Sequence, residues 1–207
     1  MTPFTQHRGV ALPLLRNNID TDAIIPSREM RTVSRSGLAA GLFAPWRYLN
    51  PDARTPNPEF ALNQPEYSGA SIILAGDNFG CGSSREHAVW ALMESGFRAV
   101  IAPSFATIFR NNALRNGLLT VALEQHDLDE LVAWVIVDPV AHTIELDLEA
   151  CTIESDREKD RKVFSVDATA RDMLLQGFDE IGLTEQSIDL VARFEEQDQA
   201  LRPWVYL

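Results

Sequence analysis

The segment Gly80-Cys81-Gly82-Ser83-Ser84-Arg85-Glu86-His87-Ala88 gathers groups that could do chemistry on an anion. It follows a short apolar run, Ala70 to Ala75, and leads into the apolar positions Ala88, Ala91, Leu92 and Met93. That order predicts a buried strand, a glycine-rich loop and a helix that begins at Ser83. Such a turn aims free backbone N–H groups and the positive end of the helix dipole into one place. The glycines let the backbone approach a ligand closely. Arg85 adds a guanidinium whose planar fork matches a carboxylate.

The same residues have a structural reading. Ser83-x-x-Glu86 is a capping box, in which Ser83 caps the helix and Glu86 bonds back to its N–H. On pattern alone the two readings stand about level. What favours the anion site is the surplus, since a cap needs no glycine-rich loop, second serine or arginine. A nucleotide P-loop is excluded because no Gly-Lys-Ser/Thr ending follows. A serine-hydrolase elbow is excluded because Arg85 stands where Gly-x-Ser-x-Gly requires glycine.

The elements that must hold this loop are readable around it. From Val10 to Ile25 the chain reads as extended apolar segments around the polar turn Arg16 to Asp22, ended by Pro26. Residues 27–37 are polar and Arg-rich and suit an exposed loop. Pro51, Pro56, Pro58 and Pro65 mark an irregular surface segment. Strand-type runs at Ala70–Ala75, Ala99–Ala102 and Leu118–Leu123 alternate with helical stretches from Ser83 and from Ser104 to Leu114. A β-α-β-α-β series of this kind implies parallel pairing with helical crossovers. Asp127 to Val137 reads as a helix and Thr143 to Leu148 as a half-buried strand. The charged run Glu154 to Lys162 reads as a hairpin tip leading into Val163 to Val166, with helices near 168–176 and 184–200 at the end. The architecture expected is a three-layer α/β sandwich with a mixed, partly parallel sheet.

Composition narrows the class. The chain has 207 residues, 45% apolar and 23% charged, which suits one sizeable core. No apolar run approaches the roughly 20 residues of a membrane span, and the N-terminus MTPFTQHRGV lacks signal and transit features. A cytoplasmic protein is expected. The net charge of −12, without a basic block, argues against a nucleic-acid partner. It also means that an anionic substrate needs a local cationic site to overcome the overall field. Two cysteines, Cys81 and Cys151, cannot ligate a four-iron cluster, which takes three or four thiolates. Cys81 reads as a small residue that fits its loop, or as a thiol acidified by the helix N-terminus.

The run Gly82-Ser83-Ser84-Arg85-Glu86-His87-Ala88 resembles the signature of the aconitase-superfamily swivelling domain. Asn18-Ile19-Asp20-Thr21-Asp22-Ala23-Ile24-Ile25-Pro26, Gly76-Asp77-Asn78-Phe79-Gly80 and Ile101-Ala102-Pro103-Ser104-Phe105-Ala106 agree with it. The tail Gly177 to Thr184 and the freestanding length resemble the small-subunit family of bacterial isopropylmalate isomerases. The likeness runs from about Gly9 to Leu183. It implies one swivelling β/β/α domain over residues 1–207, with a core of about 9–183 and a helical extension at 184–207.

The resemblance also implies a chemistry. A large subunit would carry a [4Fe–4S] cluster, this chain would bind no metal, and the pair would interconvert 2-isopropylmalate and 3-isopropylmalate through dehydration and rehydration in leucine biosynthesis. Ser83 would be the base that removes the proton beside a carboxylate, and Arg85 would clamp that carboxylate and stabilise developing charge. Ser84, Thr21, Asp22, Met30 and Val33 would contact substrate. His87 would be a packing residue. A further substrate arginine of aconitase has no match here, where Arg16, Arg28 and Arg31 are the candidates to replace it. Two alternatives stay open: a related dehydratase of homoaconitate, citraconate or dimethylmalate, which the loop Ser27 to Gly37 would decide, and a non-catalytic module of the same fold.

Overall fold

Strands too apolar to face water on either side place a parallel sheet at the centre of the fold. The computed structural model describes residues 1–30, 34–155 and 161–206. The chain starts with β1 (Gln6–Gly9), β2 (Ala11–Leu14), α1 (Thr21–Ile24), α2 (Ala44–Arg47), β3 (Tyr48–Asn50) and β4 (Thr55–Pro56). The central series is β5 (Ile72–Ala75), α3 (Glu86–Glu94), β6 (Ala99–Ala102), α4 (Thr107–Asn116) and β7 (Leu119–Ala122). Then come α5 (Gln125–Val135), β8 (Ile144–Asp147), β9 (Thr152–Ser155) and β10 (Arg161–Val163). The helices α6 (Ala168–Gln176), α7 (Glu180–Glu185) and α8 (Ile188–Leu201) end the chain.

The four strands β2-β5-β6-β7 pair in parallel, with Ala11 beside Ile72, Ile72 beside Ala99 and Ala99 beside Leu119. Every residue of β5 and β6 is buried, as a sheet covered on both faces requires. Side chains alternate between those faces. Leu12, Leu14, Ile73, Ala75, Val100 and Ala102 pack with Ala88, Val89, Leu92 and Phe109 of α3 and α4. Ala11, Ile72, Leu74, Ile101 and Val121 pack on the other side with Leu128, Leu131 and Val135 of α5 and with Ile144, Leu146 and Ile153. These last three belong to a four-stranded antiparallel sheet, β1-β8-β9-β10. Lys162, only 7% exposed, donates from β10 to Asp127 and Glu130 at 3.0 and 2.7 Å and ties this sheet to α5.

The expected three-layer α/β architecture is present, with parallel and antiparallel pairing in separate sheets rather than in one mixed sheet, and with β3 and β4 forming a small antiparallel pair of their own. Three local expectations need correction. The segment before Pro26 is not extended throughout. Asp20 caps a turn of helix there, its carboxylate accepting from the N–H of Ala23 at 2.7 Å, and the turn buries Thr21 and Ile24. Helix α3 begins at Glu86, not Ser83. The chain end holds three helices, and α8 is exposed along nearly its whole length. Of the expected hairpin, β9 and β10 pair antiparallel, while its tip at 156–160 lies outside the described residues.

One exposed carboxylate fixes the segment that follows residue 33. Glu94, at the end of α3, accepts from the N–H groups of Gly37, Leu38 and Ala39 at 2.6, 2.5 and 2.9 Å. These backbone bonds, Gly37 first, hold its carboxyl below the usual glutamate range. A depressed carboxyl adds stability above its unfolded value, about 4.3, and loses it as pH falls through the folded value. Glu94→Gln should therefore be less stable than the parent near pH 7, and the gap should close below about pH 4. Urea melts across that range check it, and a gap independent of pH would contradict it.

Candidate active site

Three loops leave the carboxyl ends of the adjacent strands β2, β5 and β6, so the parallel register delivers them to one edge of the sheet. In open α/β sheets that edge is where ligands bind. The loops are stitched by their own polar groups. The N–H of Asn18 donates to Asp77 O at 2.8 Å, the N–H of Asp77 to Asn17 Oδ1 at 2.9 Å, and Asn78 Nδ2 to Asn18 Oδ1 at 2.8 Å. Ser104 Oγ donates to Asp77 Oδ1 at 2.5 Å and accepts from the N–H of Asn78 at 3.0 Å. The N–H of Phe79 donates to Ser104 O, and that of Ala106 to Phe79 O, at 3.1 and 3.0 Å. The motifs that agreed with one signature in the sequence are thus one assembly in space.

The second half of the loop is clasped by residues 19–21. Gly80 N–H donates to Ile19 O at 2.7 Å and Thr21 N–H to Cys81 O at 2.9 Å, with Asp20 and Cys81 bridged in parallel. Thr21 Oγ1 then donates to Ser83 O at 3.1 Å. Gly80 has φ +76°, and a Cβ there would fall 2.2 Å from Phe109 Cγ, so only glycine lets the loop pass this ring. Phe79, fully buried, packs edge-on against Phe109 with ring centroids 5.2 Å apart.

What emerges from the clasp is an exposed Ser83-Ser84 pair followed by a half-buried Arg85. The capping box is not formed. Arg85 is the N-cap residue of α3, and no side chain caps that end. Glu86 instead accepts from Asn116 Nδ2 of α4 at 2.7 Å. Ser83 O accepts from the N–H of Arg85 at 2.8 Å, while no hydrogen bond engages Ser83 Oγ among the described residues. Arg85 Nη1 pairs with the exposed Asp22 carboxylate. Ser83, Ser84 and Arg85 thus form the rim that leads into α3.

The other expected residues divide. Thr21, expected to contact substrate, is 1% exposed, with its hydroxyl donating to Ser83 O beneath the rim. Asp22 stands on the rim beside Arg85. Met30 is half-buried against the helix-side core. Val33 and Arg31 lie outside the described residues. Arg16 stacks 4.5 Å over the Trp46 ring, and Arg28 Nε lies 3.5 Å from Glu29. His87 packs against Trp90, ring centroids 4.7 Å apart.

The thiols do not form a cluster site. Cys81 follows β5 at the parallel sheet, and Cys151 lies in the turn between β8 and β9 of the other sheet, where its Sγ donates to Leu148 O at 3.4 Å. Burial, with the Asp20 carboxylate adding, pushes the Cys81 thiol up, which favours the reading of Cys81 as a small residue that fits its loop over that of an acidified thiol. Among the described residues, no three His, Cys, Asp or Glu side chains gather as metal ligands, and no helix is long and apolar enough to cross a membrane.

Comparison with known proteins puts names beside this geometry. A family model for the aconitase C-terminal domain matches residues 1–126. The chain is 54% identical over 206 residues to the 3-isopropylmalate dehydratase small subunit of Cupriavidus necator, covering all of this chain and 99% of that one. It is 46% identical over 212 residues to the protein of the same name from Polaromonas sp., covering 99% and 97%. The crystal structure of 3-isopropylmalate dehydratase from Methanocaldococcus jannaschii superimposes with a TM-score of 0.65 at 30% identity, over 91% of this chain and 99% of that one.

The close pass at Phe109 gives a direct test of the loop. Gly80→Ala should cost about 3 kcal/mol, from the ring overlap and the left-handed backbone together. Gly82→Ala, with φ +90° and its nearest neighbour 3.3 Å away, should cost about 1 kcal/mol. Equal costs in urea denaturation would show that the ring does not hold the loop.

Proposed function

The chain belongs to the aconitase C-terminal domain family and, within it, to the 3-isopropylmalate dehydratase small subunits, and from that premise we propose that it supplies the base to an active site shared with a large subunit. The whole chain acts as one swivelling domain. The pair interconverts 2-isopropylmalate and 3-isopropylmalate by dehydration and rehydration, a cytoplasmic step of leucine biosynthesis. The [4Fe–4S] cluster is carried by the large subunit; two cysteines are fewer than the three or four thiolates such a cluster takes.

Ser83 is the base. The observation that carries this is its exposed hydroxyl, engaged in no cap, beside Arg85 at the start of α3. A serine hydroxyl is far too weak an acid to ionise unaided near pH 7. The open N–H groups at the start of α3 and the Arg85 guanidinium favour its anionic form. The alkoxide takes the proton from the carbon next to a substrate carboxylate, and returns it in the hydration step. Arg85 grips that carboxylate with its fork and stabilises charge as the proton leaves. Ser84 donates to the same carboxylate. Asp22 orients Arg85. Met30 bounds the pocket for the isopropyl group; Val33, expected in the same role, lies outside the described residues.

Because Ser83 caps nothing, Ser83→Ala should change stability by less than about 0.5 kcal/mol. In the assembled enzyme it should lower kcat by several orders of magnitude. Ser83→Asp should be equally inactive, since a carboxylate is a much weaker base and adds charge beside an anionic substrate. Arg85→Lys keeps the charge and loses the fork, so it should raise KM as well as lower kcat. Near-parental turnover of Ser83→Asp with correctly paired subunits would remove Ser83 from the mechanism.

A further inference from the structure

The sequence offers α3 a capping box at Ser83 and Glu86, and the structure leaves that box open. Arg85 is extended at φ −107° and ψ 102°, and no side chain caps the helix. The first turn closes only with the N–H of Ala88 on Arg85 O at 3.1 Å. The first N–H groups of α3 therefore lack a side-chain partner, which gives the box a reason to close. Closing it would need Ser84 and Arg85 to turn helical and the Glu86 carboxylate to reach back to the N–H of Ser83.

The restraint comes from the neighbouring helix. Asn116, the last residue of α4, donates from Nδ2 to Glu86 Oε1 at 2.7 Å and to Asn112 O at 2.8 Å. Its Oδ1 accepts from Trp90 Nε1 at 3.0 Å. Glu86 and Trp90 stand four residues apart and so share one face of α3. A single amide, tied to its own helix through Asn112, holds them both.

We infer that Asn116 is a positioning residue for the active site: by holding Glu86 against α4 it keeps the capping box from closing over the rim. The inference rests on Ser83 being the base, as proposed above. A closed box would engage the Ser83 hydroxyl with the N–H of Glu86. It would also bring the Glu86 carboxylate beside the place of the alkoxide and the substrate carboxylate, where like charge opposes both. Arg85 would leave the extended backbone from which it meets Asp22. A plain pin between two helices predicts something different. Its loss would loosen α3 from α4, and no change at Glu86 could restore the site.

The test is a double-mutant cycle. Asn116→Asp keeps the acceptor for Trp90 and sets like charge against Glu86; Asn116→Ala removes the amide without adding charge. In the full-length chain alone, the Cα chemical shifts of Ser84 and Arg85 read whether these residues are extended or helical. Both Asn116 variants should move them to helical values. Glu86→Ala has no carboxylate to send back, so it should leave them extended, and adding it to either Asn116 variant should return them there. In the enzyme assembled with its large subunit, Asn116→Asp should lower kcat about tenfold or more. Glu86→Ala should keep the parental turnover, and the double variant should recover it. Unmoved shifts in both Asn116 variants, or a double variant no better than the single one, would overturn the role of Asn116 and leave that of Ser83 standing. Helical shifts with parental turnover would uphold the restraint on Glu86 and count instead against Ser83 as the base.

Discussion

The clasp between Thr21 and the loop Gly80–Ser83 is the contact on which the rest of this structure depends. Two backbone bonds, Gly80 N–H to Ile19 O and Thr21 N–H to Cys81 O, extend the parallel pairing beyond the ends of the strands. The Thr21 hydroxyl carries it one residue further to the carbonyl of Ser83. Without that clasp a glycine-rich loop has many backbone states, and fixing each residue costs about 1–2 kcal/mol. With it, Ser83 and Ser84 are presented from a buried base while their own hydroxyls stay exposed. The loop is held below and open above, as the function proposed for it requires.

Electrostatics works on a smaller scale than the chain. A net charge of −12 opposes anions at long range, yet exposed charges more than about 8 Å away are largely screened in physiological salt. On the proposed function, what a carboxylate meets at the rim is Arg85 and the start of α3. Asp22 already holds Arg85 there, so the guanidinium is oriented before any ligand arrives. An oriented fork loses less freedom on binding than a mobile one.

The buried strands were legible because their pattern is unambiguous: Ile72–Ala75 and Ala99–Ala102 have no polar residue to turn outward. The start of α3 was misread for an equally physical reason. Ser83 and Glu86 have the spacing of a capping box, but Glu86 instead accepts from Asn116, 30 residues away. The segment Thr21–Ile24 looked extended because its apolar residues precede a proline, whereas the Asp20 cap turns it into helix. Thr21 gave no local signal of its position, since its bond to Ser83 spans 62 residues and exists only once three strand ends share an edge. The Arg85–Asp22 pair, spanning 63 residues, was equally hidden, although each partner stood out by type.

If the clasp sets the geometry of the base, removing one hydroxyl beneath it should be felt in turnover. Thr21→Val keeps the shape of the buried side chain and deletes only the donor to Ser83 O. In the assembled enzyme it should lower kcat by about ten- to a hundredfold, the scale of a small misplacement of a reacting group. KM should change little, because Arg85 keeps its partner, and Thr21→Ser should recover most of the rate. A Thr21→Val enzyme that assembles normally and turns over at the parental rate would contradict the clasp as the source of the site's geometry.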